Sequence, residues 1–157
     1  MAINVTDSQG TKAYLVASGT SVNDATAIST AITGGKQIGC IQDLGEIASS
    51  RSVQEYTCLS SDEVTKSLGS ITLPSLDMNL LFDAGDTTGQ AEIRTMYNNN
   101  ERRTIIIEIA DDAGTNPTYI TFEVAVSKFG NSIQKDNAVM QVCTFEICSK
   151  PAFVYAS

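Results

Sequence analysis

Three consecutive isoleucines, Ile105, Ile106 and Ile107, stand in the middle of residues 103–110 (RTIIIEIA). Side chains along a strand alternate between the two faces of a sheet, so this run has no polar side to offer water. Such a strand needs cover on both faces. The helix expected at 88–97 and a neighbouring subunit are the two candidates for the second cover, and the rest of the chain must be arranged around a sheet.

Residues 75–83 (SLDMNLLFD) set Leu76, Met78, Leu80 and Phe82 to one side and Asp77 and Asn79 to the other, the pattern of a half-buried strand. Residues 118–126 (TYITFEVAV) and 138–148 (AVMQVCTFEIC) read as two more, reached through turn-like connections at 111–117 and 128–137. Two further strands are expected at 12–18 (KAYLVAS) and 36–43 (KQIGCIQD), the second with Ile38 and Cys40 on one face.

Helical spacing occurs twice. Val22, Ala25, Ile28 and Ile32 recur at intervals of three and four. Further on, Thr87 and Gln90 have the spacing of a capping box, and Ile93, Met96 and Tyr97 form the apolar side of a helix ending at Asn98-Asn99-Asn100. Antiparallel strands with one well-capped helix among them predict a mainly β fold, a β-sandwich or part-barrel with that helix across its open side. The 157 residues amount to one domain, and their 42% hydrophobic content can build a core.

Residues 45–72 are thin in apolar content and hold seven serines. A weak strand is expected at 52–59. Ser60 and Glu63 read as a capping box opening a short helical turn, with Val64 and Leu68 on one side. A segment this long without firm structure is an excursion from the core, of a kind usually tied to function.

Composition narrows the chemistry. The chain has no histidine, which excludes Ser-His-Asp and Cys-His triads and histidine-ligated zinc. Its 10 Lys and Arg stand against 18 Asp and Glu, a formal charge of −8, the wrong sign for gripping a phosphate backbone. Cys40, Cys58, Cys143 and Cys148 lack zinc-knuckle spacing and are expected as free thiols. No leader pattern opens the sequence and no apolar run is long enough to span a bilayer, so a cytoplasmic origin and no membrane partner are expected.

Specific motifs fail on inspection. Gly34-Gly35-Lys36 lacks the earlier glycine and the following hydroxyl of a phosphate loop. Asp83, Asp86 and Glu92 lack the intermediate donors and the central glycine of a calcium loop, and suit a helix N-terminus better. Asp111 and Asp112 are adjacent at a turn, where neighbouring side chains diverge. No cofactor or metal is expected, and an acid-pair hydrolase is the weakest of the open functions.

In order and spacing, KQIGCIQDLGEI (36–47), EYTCLSSDEVTKSLGSI (55–71), SLDMNLLFD with TTGQAEIRTMYNNN (75–100) and RTIIIEI (103–109) resemble the tail tube proteins, or major tail proteins, of long non-contractile-tailed bacteriophages. The resemblance runs from about residue 12 to Pro151. It implies a β-sandwich flanked by a helix, related in fold to the type VI secretion needle. It also implies a virion protein assembled in the host cytoplasm, whose hexameric rings stack into a hollow tube. That tube would enclose a tape-measure protein, meet tail terminator and tail tip proteins, and conduct DNA without binding it specifically.

On this reading residues 1–11 and 151–157 are arms of a single domain spanning 1–157, the latter carrying Phe153, Val154 and Tyr155. The excursion at 45–72 becomes an inter-subunit loop, with Ser49, Ser50, Arg51, Glu55, Tyr56, Ser60, Ser61, Asp62, Glu63 and Lys66 as contact residues. Asp77, Glu108, Glu123 and Glu146, each on the more polar side of its strand, are candidates for the lumen wall. A secretion-needle subunit and a monomeric β-sandwich binding module remain open as alternatives.

Overall fold

The computed structural model describes residues 10–39, 41–109 and 117–155. Cys40, residues 1–9 of the N-terminal arm and residues 110–116, with Asp111 and Asp112, lie outside them.

In chain order the elements are β1 (Lys12–Ala17), α1 (Ala25–Gly34), β2 (Lys36–Ile38), β3 (Ile41–Asp43), β4 (Ser50–Thr57), β5 (Val64–Thr72), β6 (Ser75–Leu81), α2 (Gly89–Asn99), β7 (Arg102–Ile109), β8 (Thr118–Ser132), β9 (Met140–Ile147) and β10 (Ala152–Tyr155). Eight strands form one antiparallel sheet in the order β2-β1-β7-β8-β9-β6-β3, and β10 continues along β8 beyond the end of β9. The edge strands β2 and β3 are separated in sequence by only Gly39 and Cys40. The sheet therefore curls into a half-barrel. The expected single strand at 36–43 is in fact these two, because Lys36–Ile38 pairs with β1 and Ile41–Asp43 with β6.

One face of the sheet turns inward. Leu15, Ile38, Leu76, Met78, Leu80, Ile105, Ile107, Phe122, Val124, Cys143 and Phe145 gather there around Ile93 and Met96 of α2. The opposite face carries a smaller cluster in which Val16, Ile106 and Tyr119 meet Ile28 of α1. The isoleucine triplet is thus divided between two helices. The second cover is α1, rather than the 88–97 helix or a neighbouring subunit: Ile106 points away from the face that α2 fills.

Local chemistry explains where the helices begin and end. Asp24 caps α1 by accepting from the Ala27 amide at 2.7 Å. The expected Thr87–Gln90 box does not form at α2. Its place is taken by Asp86, whose carboxylate accepts from the Thr88 amide at 2.8 Å and the Gln90 amide at 3.2 Å. The Gln90 side chain turns inward instead, donating to the Leu81 carbonyl at 2.7 Å and accepting from the Asp83 amide at 3.1 Å. Burial works against the Asp86 charge, but these donors outweigh it and hold its carboxyl below the usual range. At the other end Asn100 takes φ 55° and stops the helix. Arg103 then ties β7 to α2 through Glu92 at 3.0 Å.

Two expected boundaries and one expected facing move. β6 ends at Leu81, leaving Phe82 partly exposed rather than in the core row. Half of the connection placed at 128–137 is strand: β8 runs on to Ser132, with a register shift between Val126 and Lys128 that restores Phe129 to the inner side. Tyr97, expected on the apolar side of α2, is exposed yet stacks on Phe129 with ring centroids 6.0 Å apart.

Candidate functional site

The strand expected at 52–59 is present as β4, but the helical turn expected after it is not: that stretch is β5, and the two strands pair as an antiparallel hairpin that forms a sheet of its own. Val64 and Leu68 are four residues apart, a spacing that places them together on a strand as well as on a helix. Thr, Ser and Val around them favour the strand. Ser60 caps nothing: Ser61 accepts from the Glu63 amide at 3.1 Å in a turn at the tip.

Ser50, Arg51, Glu55 and Tyr56 lie on β4 and Lys66 on β5, with Ser49 at the base and Ser60, Ser61, Asp62 and Glu63 around the tip. Lys66 faces Glu55 across the strands at 3.7 Å. Both are well exposed, so the pair adds little to stability.

The four acids Asp77, Glu108, Glu123 and Glu146 share the face of the half-barrel opposite the α2 core, as their alternation with buried neighbours requires. Three of them accept from a hydroxyl: Asp77 from Thr144 at 2.8 Å, Glu146 from Ser127 at 3.0 Å and Glu123 from Ser18 at 3.0 Å. Glu108 lies beside Tyr14 and Tyr119. Burial first, and then this carboxylate, raise both phenols above their ordinary pKa. Because α1 covers the β1–β7 side of the face, Glu108 and Glu123 are half-buried while Asp77 and Glu146 are exposed.

The C-terminal residues form β10, paired with the start of β8. The chain crosses from β9 to β10 through Cys148, whose amide donates to the Glu123 carbonyl at 2.8 Å. Ser149 follows, its hydroxyl accepting from the Glu123 amide at 2.8 Å in place of a strand carbonyl. Val154 rests against the α1 cluster, whereas Phe153 and Tyr155 are 55% and 73% exposed.

Sequence reading missed a groove of about 530 Å³ at one mouth of the half-barrel, lined among others by Ile41, Ile47, Ile107, Ile109 and Ile120. It draws on residues far apart in the chain, so no local pattern announces it. Among the described residues no group of three or more acidic or cysteine side chains is placed to hold a metal, and no helix is long and apolar enough to cross a membrane.

An antiparallel half-barrel with two helices and a projecting hairpin is a tail-tube-like fold. It is shared with solved structures across nearly the whole chain. A chain of the sixfold-symmetrised baseplate of the anti-feeding prophage superposes with a TM-score of 0.73 at 6% identity, covering 98% of this chain and 97% of that one. The SPP1 tail tube gives a TM-score of 0.65 at 13% identity, over 98% and 80%. The tail of an empty gene transfer agent particle gives 0.65 at 12% identity, over 95% and 98%. No family model and no curated protein matches the sequence.

Proposed function

We propose that this chain is a structural subunit that closes into six-membered rings and stacks them into a hollow tube. The likeness to chains of tail and injection assemblies across at least 95% of its length carries the reading. Two features of the chain support it. Its sheet edges are three-residue strands, and its hairpin is exposed along both arms. Ring closure pairs edges between neighbours, and head-to-tail stacking is a contact that does not close, so it generates a filament.

The tube belongs to a long non-contractile phage tail, around a tape-measure protein and between terminator and tip proteins. Asp77, Glu108, Glu123 and Glu146 face the bore and repel passing DNA over a screening length of about 8 Å. The chain needs no catalytic group for this. A second reading, a tube subunit of a contractile injection system, draws on the PVC sheath–tube complex, with a TM-score of 0.68 at 12% identity. A neighbouring tape-measure gene without a sheath gene favours the first.

Sedimentation velocity over rising concentration tests assembly. Boundaries of six copies and longer are expected, and a single monomer boundary at every concentration contradicts the proposal.

A further inference from the structure

The hairpin is two-faced, and its register shows how. Residues directly opposite on antiparallel strands share a face. Val53 stands opposite Leu68, Thr57 opposite Val64, and Arg51 opposite Ile71. Between the last pair and Val53–Leu68 there is one residue on β4, Ser52, and two on β5, Gly69 and Ser70, so β5 carries a bulge. The bulge brings Ile71 onto the side of Val53, Val64 and Leu68. The other side collects Ser50, Ser52, Gln54, Thr65 and Ser67. One face therefore carries these four aliphatic side chains together with Arg51 and the Glu55–Lys66 pair, and the other is hydroxyl-rich around Tyr56.

The aliphatic face is bare: Val53 and Val64 are each 51% exposed, Leu68 66% and Ile71 38%. Two-stranded ribbons are marginal in water without a surface to lie on. The groove at the barrel mouth offers a complementary surface, aliphatic side chains beside Thr11, Gln42 and Asp43. Ile41 and Ile47 form part of that lining, and the chain runs on from Ile47 directly into β4. The ribbon thus leaves from the rim of its own groove while lying in a sheet of its own.

We infer that the aliphatic face of one copy's hairpin seats in the groove of a second copy, with Leu68 and Val53 against Ile107, Ile109 and Ile120. The inference rests on the tube reading and deepens it by naming the receptor for the hairpin. Each chain then offers its ribbon to one neighbour and its groove to another, so the contact is heterologous and propagates. The hydroxyl face stays outward, which accounts for the serine content of the segment.

Disulfide trapping tests the contact. The full chain carries Leu68→Cys and Ile109→Cys with Cys40, Cys58 and Cys148 changed to Ser; Cys143 is buried and stays. After oxidation, a denaturing gel is expected to show a ladder of linked chains that either single cysteine variant lacks. Monomer bands from a sample that forms tubes on a microscope grid would overturn the groove and leave the tube standing. A link confined to one chain would also overturn it. If the unmodified protein never associates, the tube reading and the inference fall together. As a second measure, Leu68→Glu or Ile109→Lys alone should raise the concentration needed for assembly at least tenfold with the monomer still folded. Unchanged assembly by both would overturn the inference.

Discussion

Gly89 stands so close to Ile38 that a β-carbon on the glycine would fall 2.6 Å from the Ile38 Cα, with the Gln37 carbonyl closer still. The first residue of α2 rests on the backbone of β2, and this contact seats the helix across the open side of the half-barrel. Backbone cannot yield as a side chain can. Gly89→Ala should cost about 3 kcal/mol in urea unfolding, at the upper end for overpacking. Gly34→Ala, where a β-carbon meets nothing within 4 Å, should be neutral or stabilising by up to about 1 kcal/mol. Equal effects from the two would show that α2 is seated some other way.

Asp86 gives the fold a pH dependence of known sign. Its carboxyl titrates below the ordinary value because, against the cost of burial, Thr88 and Gln90 donate to the charged form. A depressed folded pKa contributes stability above the unfolded value of about 3.9 and loses it as pH falls through the folded one. Asp86→Ala should cost about 1 kcal/mol at pH 7, the usual worth of a side chain satisfying helix N-terminal amides. Thermal unfolding should show the gap to the unmodified chain narrowing below about pH 4.

The thiols should separate by reactivity. Cys143 is buried on β9, and burial first and Asp77 second push it up to about 12. Cys58 is exposed beside the hairpin tip. A maleimide at neutral pH should label Cys58 within minutes and Cys143 only on unfolding. Prompt labelling of both, read by peptide mass, would contradict the core placement of β9.

Removing residues 151–157 deletes β10 and uncovers part of the α1 cluster through loss of Val154. The isolated domain should lose about 2 kcal/mol, the worth of one buried aliphatic side chain. If Phe153 and Tyr155 meet another copy, assembly should weaken further than that loss explains. Tubes of normal length from the truncated chain would contradict an assembly role.

How much of this was legible depends on whether parity survived along the chain. The alternation at Leu76, Met78 and Leu80 is unbroken, and those residues lie where the pattern put them. The polar sides of the same strands brought Asp77 and Glu146 onto one face for the same reason. In β8 the register shift after Val126 breaks the count, and the strand's last five residues looked like a connection. In β5 the bulge at Gly69 and Ser70 hid Ile71 from the row of Val64 and Leu68, so the ribbon's second strand read as a short helical turn. The groove was beyond local reading altogether, since Ile41, Ile109 and Ile120 meet only through the curl of the sheet.

Electron microscopy of the concentrated full-length chain, with end-on views averaged without imposed symmetry, bears most directly on whether copies of this half-barrel surround an open axis. Hollow rings with six repeats, stacking into rods of constant width, are the predicted result. Solid particles, or single compact domains at every concentration and salt, would contradict it.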